Sequence, residues 1–135
     1  MLRSVSLFVV VPTLVLGGCA STIKTREGER LLVGSPQFRD YAEAVFKRQN
    51  STLTELFDVL EQIDDEDAAR LDVAELRMIE ACETLNSAAA TQRDGKSLSA
   101  KVLLTISSTI RPCDEATFDT DQLIREVSTD SLPVN

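Results

Sequence analysis

The sequence predicts an all-α fold: a small bundle, or a set of hairpins, of three to four helices with one disulfide. Beyond residue 35 the apolar residues recur at spacings of three and four, the period of amphipathic helices. Tryptophan is absent and aromatic residues are only 4% of the chain, a composition typical of a helical scaffold. Two cysteines, Cys82 and Cys113, lie within this helical part. The length suits one domain with a small core.

The first eighteen residues have the layout of an export signal. Arg3 gives a positive start, residues 5–16 are almost wholly apolar, and small residues follow. The apolar run contains Pro12 and is shorter than the ~20 residues that a membrane-spanning helix needs. We therefore expect residues 1–18 to be a removable signal peptide rather than a permanent transmembrane helix.

The end of this segment, Leu16, Gly17, Gly18 and Cys19, resembles the lipobox of bacterial lipoproteins. The resemblance implies cleavage between Gly18 and Cys19, a diacylglyceryl group on the Cys19 thiol, and a further acyl chain, such as palmitate, on the new amino terminus. Ala20, in place of aspartate, implies sorting to the outer membrane. Several acyl chains hold a protein at a bilayer effectively permanently. We thus expect a lipid-anchored protein on the periplasmic face; an ordinary signal peptide or a membrane-facing helix is the alternative.

The net charge argues against nucleic acid as a partner. It is −8 for the whole chain, and it becomes −9 after loss of residues 1–18, which hold Arg3 and no acid. Such a surface repels phosphate backbones. A cationic protein partner suits it better.

Residues 19–35 are predicted to be the lipidated cysteine and a flexible tether. They lack helical periodicity and carry mixed charge, and a flexible segment of this length reaches ~20 to 24 Å. The alternative is that the apolar residues 31–33 dock on the domain. The helical domain is predicted to span residues 36–127.

Helix one is predicted to begin with Ser35 as the N-cap and Pro36 in the first turn. Its apolar stripe contains Phe38, Ala42, Val45, Leu53, Leu56, Leu60 and Ile63, widened by Tyr41, Phe46 and Phe57. The polar residues 47–52 place Gln49 on the stripe. Thr52 and Glu55 suit a capping box, so a break near Asn50 is the alternative to the one long helix that we prefer.

Helix two is predicted to begin at Asp72 as the N-cap, after an acidic turn at residues 64–70. Glu75 follows three residues later, and Leu71 and Leu76 are placed to form a hydrophobic staple. The predicted inner face contains Met78, Cys82, Leu85 and Ala89, flanked by Ala74, Ile79 and Ala81. Residues 93–97 predict a turn.

Helix three is predicted over residues 99–111, with Pro112 ending it. Its inward residues are Val102, Ile106 and Ile110, with Leu103 beside them. A last short helix from about Asp114 or Asp119 ends at Val127, and residues 128–135 are predicted to be a flexible tail.

Cys82 and Cys113 are predicted to form a disulfide. Export places them where thiols are oxidised, and an even pair in a small exported domain indicates a bridge. Antiparallel helices bring them within about one turn of each other, which the chain reversal after Pro112 can absorb. The alternatives are two free thiols or a redox site, although a separation of 31 positions lacks the Cys-x-x-Cys signature.

The composition also excludes several chemistries. The chain has no histidine, which removes Ser-His-Asp and Cys-His catalysis and the usual zinc sites. The acidic residues 64–67 lack the EF-hand layout and are expected to be a solvated turn. Ser97 and Ser99, next to Lys101, are better explained as turn and cap residues. We predict no cofactor, no metal site and no catalytic residues.

The sequence does not name a function, so three classes stay open. The leading hypothesis is an envelope lipoprotein that acts through protein contacts, such as an accessory or assembly factor. The second is an inhibitor or immunity-type binder of a cationic envelope enzyme, which the net charge motivates. The third is an enzyme that acts on peptidoglycan or lipid, which only the expected location motivates.

Overall fold

The computed structural model describes residues 21–130 and contains a short β-hairpin followed by three long helices. Strands β1 (Thr22–Lys24) and β2 (Arg30–Leu32) pair antiparallel, and helices α1 (Pro36–Leu60), α2 (Asp65–Arg93) and α3 (Ala100–Asp130) follow. The predicted small all-α bundle with one disulfide is confirmed.

Several predictions fall outside the described residues. The signal peptide, the lipobox-like residues with Cys19, and residues 131–135 of the predicted tail all lie there. Between residues 21 and 130, no helix combines the length and the apolar character needed to cross a membrane.

The prediction of a flexible tether is wrong for residues 21–35, which form the hairpin and its link to α1. In the turn, the Thr25 amide donates to the Glu29 carbonyl at 2.8 Å, and Gly28 takes the left-handed backbone conformation with φ 93°. Leu31 is buried in the main core, so the docking alternative is correct for this residue. Strands of three residues are too short to show an alternating pattern in the sequence.

Helix α1 is one continuous helix, as preferred, and it has no break at Asn50. The Phe38 amide donates to the Ser35 side chain at 3.1 Å, so the predicted N-cap is confirmed. Thr52 is buried between the helices instead of capping one. Phe57 was expected on the apolar stripe, but its side chain is exposed because it points away from the other helices.

Helix α2 begins two turns earlier than predicted, so the prediction of Asp72 as the N-cap is wrong. Asp64 is the N-cap and accepts from the Asp67 amide at 3.0 Å, and the acids of the first turn suit the positive end of the helix dipole. Leu71, fully buried, lies inside the helix and packs in the bundle core. Leu76, expected in a staple, is exposed.

The inner face of α2 is largely as predicted. Met78, Cys82 and Leu85 are buried, while Ala88 is the buried alanine in place of the predicted Ala89. The turn after α2 follows, with Gly95 at φ 75°.

Helix α3 continues through Pro112, so the predicted end of helix three and the separate last helix are both wrong. Residues 128–130 of the predicted tail are also helical. A proline inside a helix costs about 3 kcal/mol, mainly through the lost hydrogen bond to the residue four positions earlier. Burial of the flanking Ile110 and Cys113, together with the disulfide, offsets this cost.

The core has two apolar clusters with buried polar residues between them. The main cluster lies near the hairpin, and a smaller one, formed by Leu56, Leu71, Ile124 and Val127, lies at the far end. The buried polar residues on the helices are Gln49, Thr52, Asp114, Thr117 and Thr120, and Thr25 is buried in the hairpin turn. The two threonines on α3 donate to carbonyls one turn back, which satisfies their hydroxyl groups inside the bundle.

Candidate functional site

The main polar site in the bundle surrounds the carboxylate of Asp114, which is fully buried on α3. Helix α1 places Tyr41 and Arg48, seven residues apart, on the face that meets α3. The hairpin turn contributes Arg26. A buried carboxylate is stable only when hydrogen bonds and opposite charges replace its water, and here α1 and the hairpin turn supply them.

Both carboxylate oxygens of Asp114 have donors. The Tyr41 hydroxyl donates to Oδ2 at 2.8 Å, and Arg48 Nη1 donates to Oδ1 in a close ion pair. Such charge-assisted bonds are stronger than bonds between neutral groups. They fix α1 against α3 in one register.

Arg26 joins the hairpin turn to this cluster. Its Nε lies 3.8 Å from Asp114 Oδ2, which is an ion-pair distance, and its guanidinium lies over the Phe118 ring with Cζ 4.0 Å from the centroid. A cation over an aromatic face is attracted by the ring quadrupole. A guanidinium nitrogen of Arg26 also donates to Glu27 at 2.6 Å. The hairpin is thus held on α3 by charge and by stacking.

The environment of Tyr41 makes it a hydrogen-bond donor and not a base. Burial raises the pKa of its phenol well above the ordinary value, and donation to the charged Asp114 raises it further. The phenol therefore stays protonated at any physiological pH. With both Asp114 oxygens occupied, the arrangement fixes the positions of α1, α3 and the hairpin.

The predicted disulfide is adjacent to this cluster. Cys82 on α2 is bonded to Cys113 on α3, with the two Cα atoms 4.6 Å apart, and both residues are fully buried. Cys113 precedes Asp114 in the chain. Cys113 therefore links α3 to α2 by a covalent bond, and the next residue, Asp114, links α3 to α1 and to the hairpin by ion pairs.

A second feature lies on the outer surface of α2. Val73, Leu76 and Ile79 are 59%, 69% and 42% exposed. Their spacing of three residues places them side by side along the helix. Asp72 and Glu80, four residues before and after Leu76, are also exposed. We call Val73, Leu76, Ile79 and these two acids the α2 face.

The other residues singled out from the sequence have local roles. The Val102 amide donates to Ser99 Oγ at 3.3 Å, so Ser99 is a cap residue as expected. Asp64 caps α2, and Asp67 accepts from Arg70 at 2.7 Å. No group of three or more potential metal ligands occurs among residues 21–130. Gly18 and Cys19 lie outside this range.

Sequence reasoning missed the residues that surround Asp114. The spacing of Tyr41 and Arg48 was a usable signal, because two hydrogen-bonding side chains seven positions apart lie on one helix face. Arg26 had no such signal, since its role depends on the hairpin. The sequence predicts Asp114 only as a possible start of the last helix.

Comparison with known proteins found no match to any family model, any curated protein or any solved structure. The functional proposal therefore depends on the residues of this chain alone.

Proposed function

We propose that this protein is a lipid-anchored component of the bacterial envelope, held by Cys19 at the periplasmic face of the outer membrane, which binds a partner protein through the α2 face. The anchor is supported by the apolar signal and the residues Leu16, Gly17, Gly18 and Cys19. The binding role is supported by the exposed apolar residues of α2, the single observation that carries it.

Exposed apolar residues that occur singly are normal on protein surfaces, but contiguous ones indicate contact sites. Leu76 is the most exposed large apolar residue of α2, and its neighbours one turn away on either side, Val73 and Ile79, are apolar too. The three side chains form a continuous stripe about two turns long. Such a stripe is of the kind that packs against an apolar surface of a second protein.

The charged residues around the stripe indicate which kind of partner surface would be complementary to it. Asp72, Glu80 and Glu83 are exposed on the same side of α2, and they outnumber Arg77, an exposed base next to Val73. A complementary partner surface is therefore apolar at its centre and basic at its rim, and opposite charges speed encounter and fix the register. An accessory role in an envelope assembly fits this arrangement best. Inhibition of a cationic envelope enzyme is the alternative, which the same acids and the net charge favour.

In vivo photo-crosslinking tests the binding role. A photoreactive residue at position 76 should give a discrete adduct, whereas the same residue at Thr54, exposed on α1, should not. Reversal of charge at Glu80 and Glu83 should abolish the adduct, and reversal at Glu55 on α1 and at Glu61, the C-cap of α1, should leave it. An adduct that survives reversal on α2, or equal adducts at both positions, would contradict the proposal.

The identity of the adduct separates the two functions. An integral membrane assembly supports the accessory role. A soluble basic enzyme, bound more weakly as salt concentration rises, supports the inhibitor role.

The anchor has its own test. Cys19→Ala should leave an unprocessed precursor that takes up no fatty-acid label. Normal labelling of that variant would refute the assignment.

A further inference from the structure

A groove opens at the hairpin end of the bundle, where the three helices meet. Its volume is about 550 Å³, and Gly34 lies at its edge. Its walls are mainly apolar and include Phe38, Phe46, Leu85, Ala88, Leu103 and Ile106. Alanines on the facing helices leave this space because their methyl side chains are too small to fill it. Charged groups, Arg39 and Glu43, lie on its α1 side.

The described chain begins beside this groove. The Val33 amide donates to the Ser21 carbonyl at 2.9 Å, and Val33 precedes Gly34 at the edge of the groove. Because β1 is antiparallel to β2, the chain that precedes Ser21 leaves the hairpin at its Gly34 end. Cys19 is two residues away, so its Cα lies within ~7 Å of that of Ser21.

The size of the groove suits one acyl chain. A cavity of about 150 Å³ holds the six carbons of benzene. On that scale the groove has room for about twenty carbons, which is enough for one common fatty acyl chain and too little for two or three.

The other end of the polypeptide does not reach the groove. Ile106 lines it, and α3 continues for 24 residues to Asp130, which is ~36 Å of helix. The five residues after Asp130 extend at most ~18 Å.

We propose that the groove binds one of the fatty acyl chains attached at Cys19. This inference rests on the proposed lipid anchor. One chain lies between α1, α2 and α3, and the remaining chains enter the bilayer. The Cys19 end of the bundle therefore lies close against the membrane surface.

Photo-crosslinking of the lipid itself tests this inference. Cells grown with a fatty acid that carries a diazirine and an alkyne would incorporate it into the lipoprotein, and the mature protein would be irradiated in the membrane and mapped by mass spectrometry. We expect acyl adducts within the groove, for example on Phe46, Leu85 or Leu103. Labelled protein with adducts only elsewhere, or with none, would overturn the inference and leave the anchor intact. Absence of any label would overturn both.

Two variants test whether the acyl adduct depends on the groove itself. Ala42→Leu with Ala89→Leu narrows the groove at two lining positions that are only partly buried. The groove adduct should be lost while total label at Cys19 is unchanged. Ala44→Leu, at an exposed position on α1, should keep the adduct. Undiminished groove adducts in the double variant would contradict the inference, and circular dichroism checks that each variant remains helical.

Discussion

Replacement of Asp114 by asparagine should strongly destabilise the bundle. The carboxylate is fully buried and accepts from Tyr41 and Arg48, with Arg26 nearby. Asparagine has nearly the same shape, but it is neutral and presents an NH₂ donor where the site supplies only donors. Arg48 and Arg26 would lose their counter-charge, and one hydroxyl or guanidinium group would lose its acceptor.

The expected loss can be estimated from exposure. Breaking a buried ion pair by removing one partner costs about 3 to 5 kcal/mol. The side chains of Arg48 and Arg26 are 39% and 27% exposed, so both can turn partly to water once the carboxylate is gone. This places the expected decrease in the free energy of unfolding at the low end, about 3 kcal/mol.

Urea unfolding of the oxidised protein, followed by circular dichroism, measures this decrease. Asp119→Asn is the matched control, because Asp119 is exposed on the same helix and the charge change is identical. The free energy of unfolding of this control should stay within about 0.5 kcal/mol of that of the unmodified protein. A loss below about 1 kcal/mol for Asp114→Asn, or one equal to the control, would refute the reasoning. A double-mutant cycle with Arg48→Met should show a coupling of at least ~1 kcal/mol.

Three further predictions concern neighbouring features. Burial and the hydrogen bond to Asp114 raise the Tyr41 pKa, so the protonated phenol stabilises the fold fully at any pH below its unfolded pKa of 10.0. Above that pH the free energy of unfolding should fall by ~1.4 kcal/mol per pH unit. Tyr41→Phe should remove this component of alkaline unfolding. Reduction of the Cys82–Cys113 bridge should cost ~3.7 kcal/mol by loop-closure entropy, and native protein should show no alkylation of either thiol. Pro112→Ala should stabilise the protein by ~1 to 3 kcal/mol in urea unfolding, because the Ser108 carbonyl regains its donor; an unchanged or lower midpoint would contradict this.

The helical period predicted the parts of the fold that depend on local signals. Ser35 caps α1, and Met78 and Cys82 face inward on α2. The start of α2 was missed because Asp64 and Asp72 are equally good cap residues. Only the burial of Leu71 against the far end of α3 decides between them, and that contact is not local in sequence.

Pro112 and the hairpin show two other limits. Proline ends a helix when nothing opposes the cost, and here the disulfide and the buried residues on both sides oppose it. The hairpin has strands of three residues, and its stability depends on contacts of Leu31 and Arg26 with distant helices. The Asp114 cluster was missed for the same reason, since its members are 66 and 73 positions apart in the chain.

The hairpin determines how the proposed anchor at Cys19 and the α2 face would be placed relative to each other. A flexible tether would have let the bundle turn freely above the membrane, whereas Arg26 and Leu31 hold the start of the described chain on the bundle. Cys19 is then only two positions before Ser21, whose carbonyl is hydrogen-bonded to the hairpin. Leu85 on α2 lines the groove at that end, and Leu76 lies nine residues further along the helix, ~14 Å away. In the proposed anchored arrangement, the α2 face would therefore lie beyond the membrane-proximal end, where the proposed partner would reach it without displacing the acyl chain.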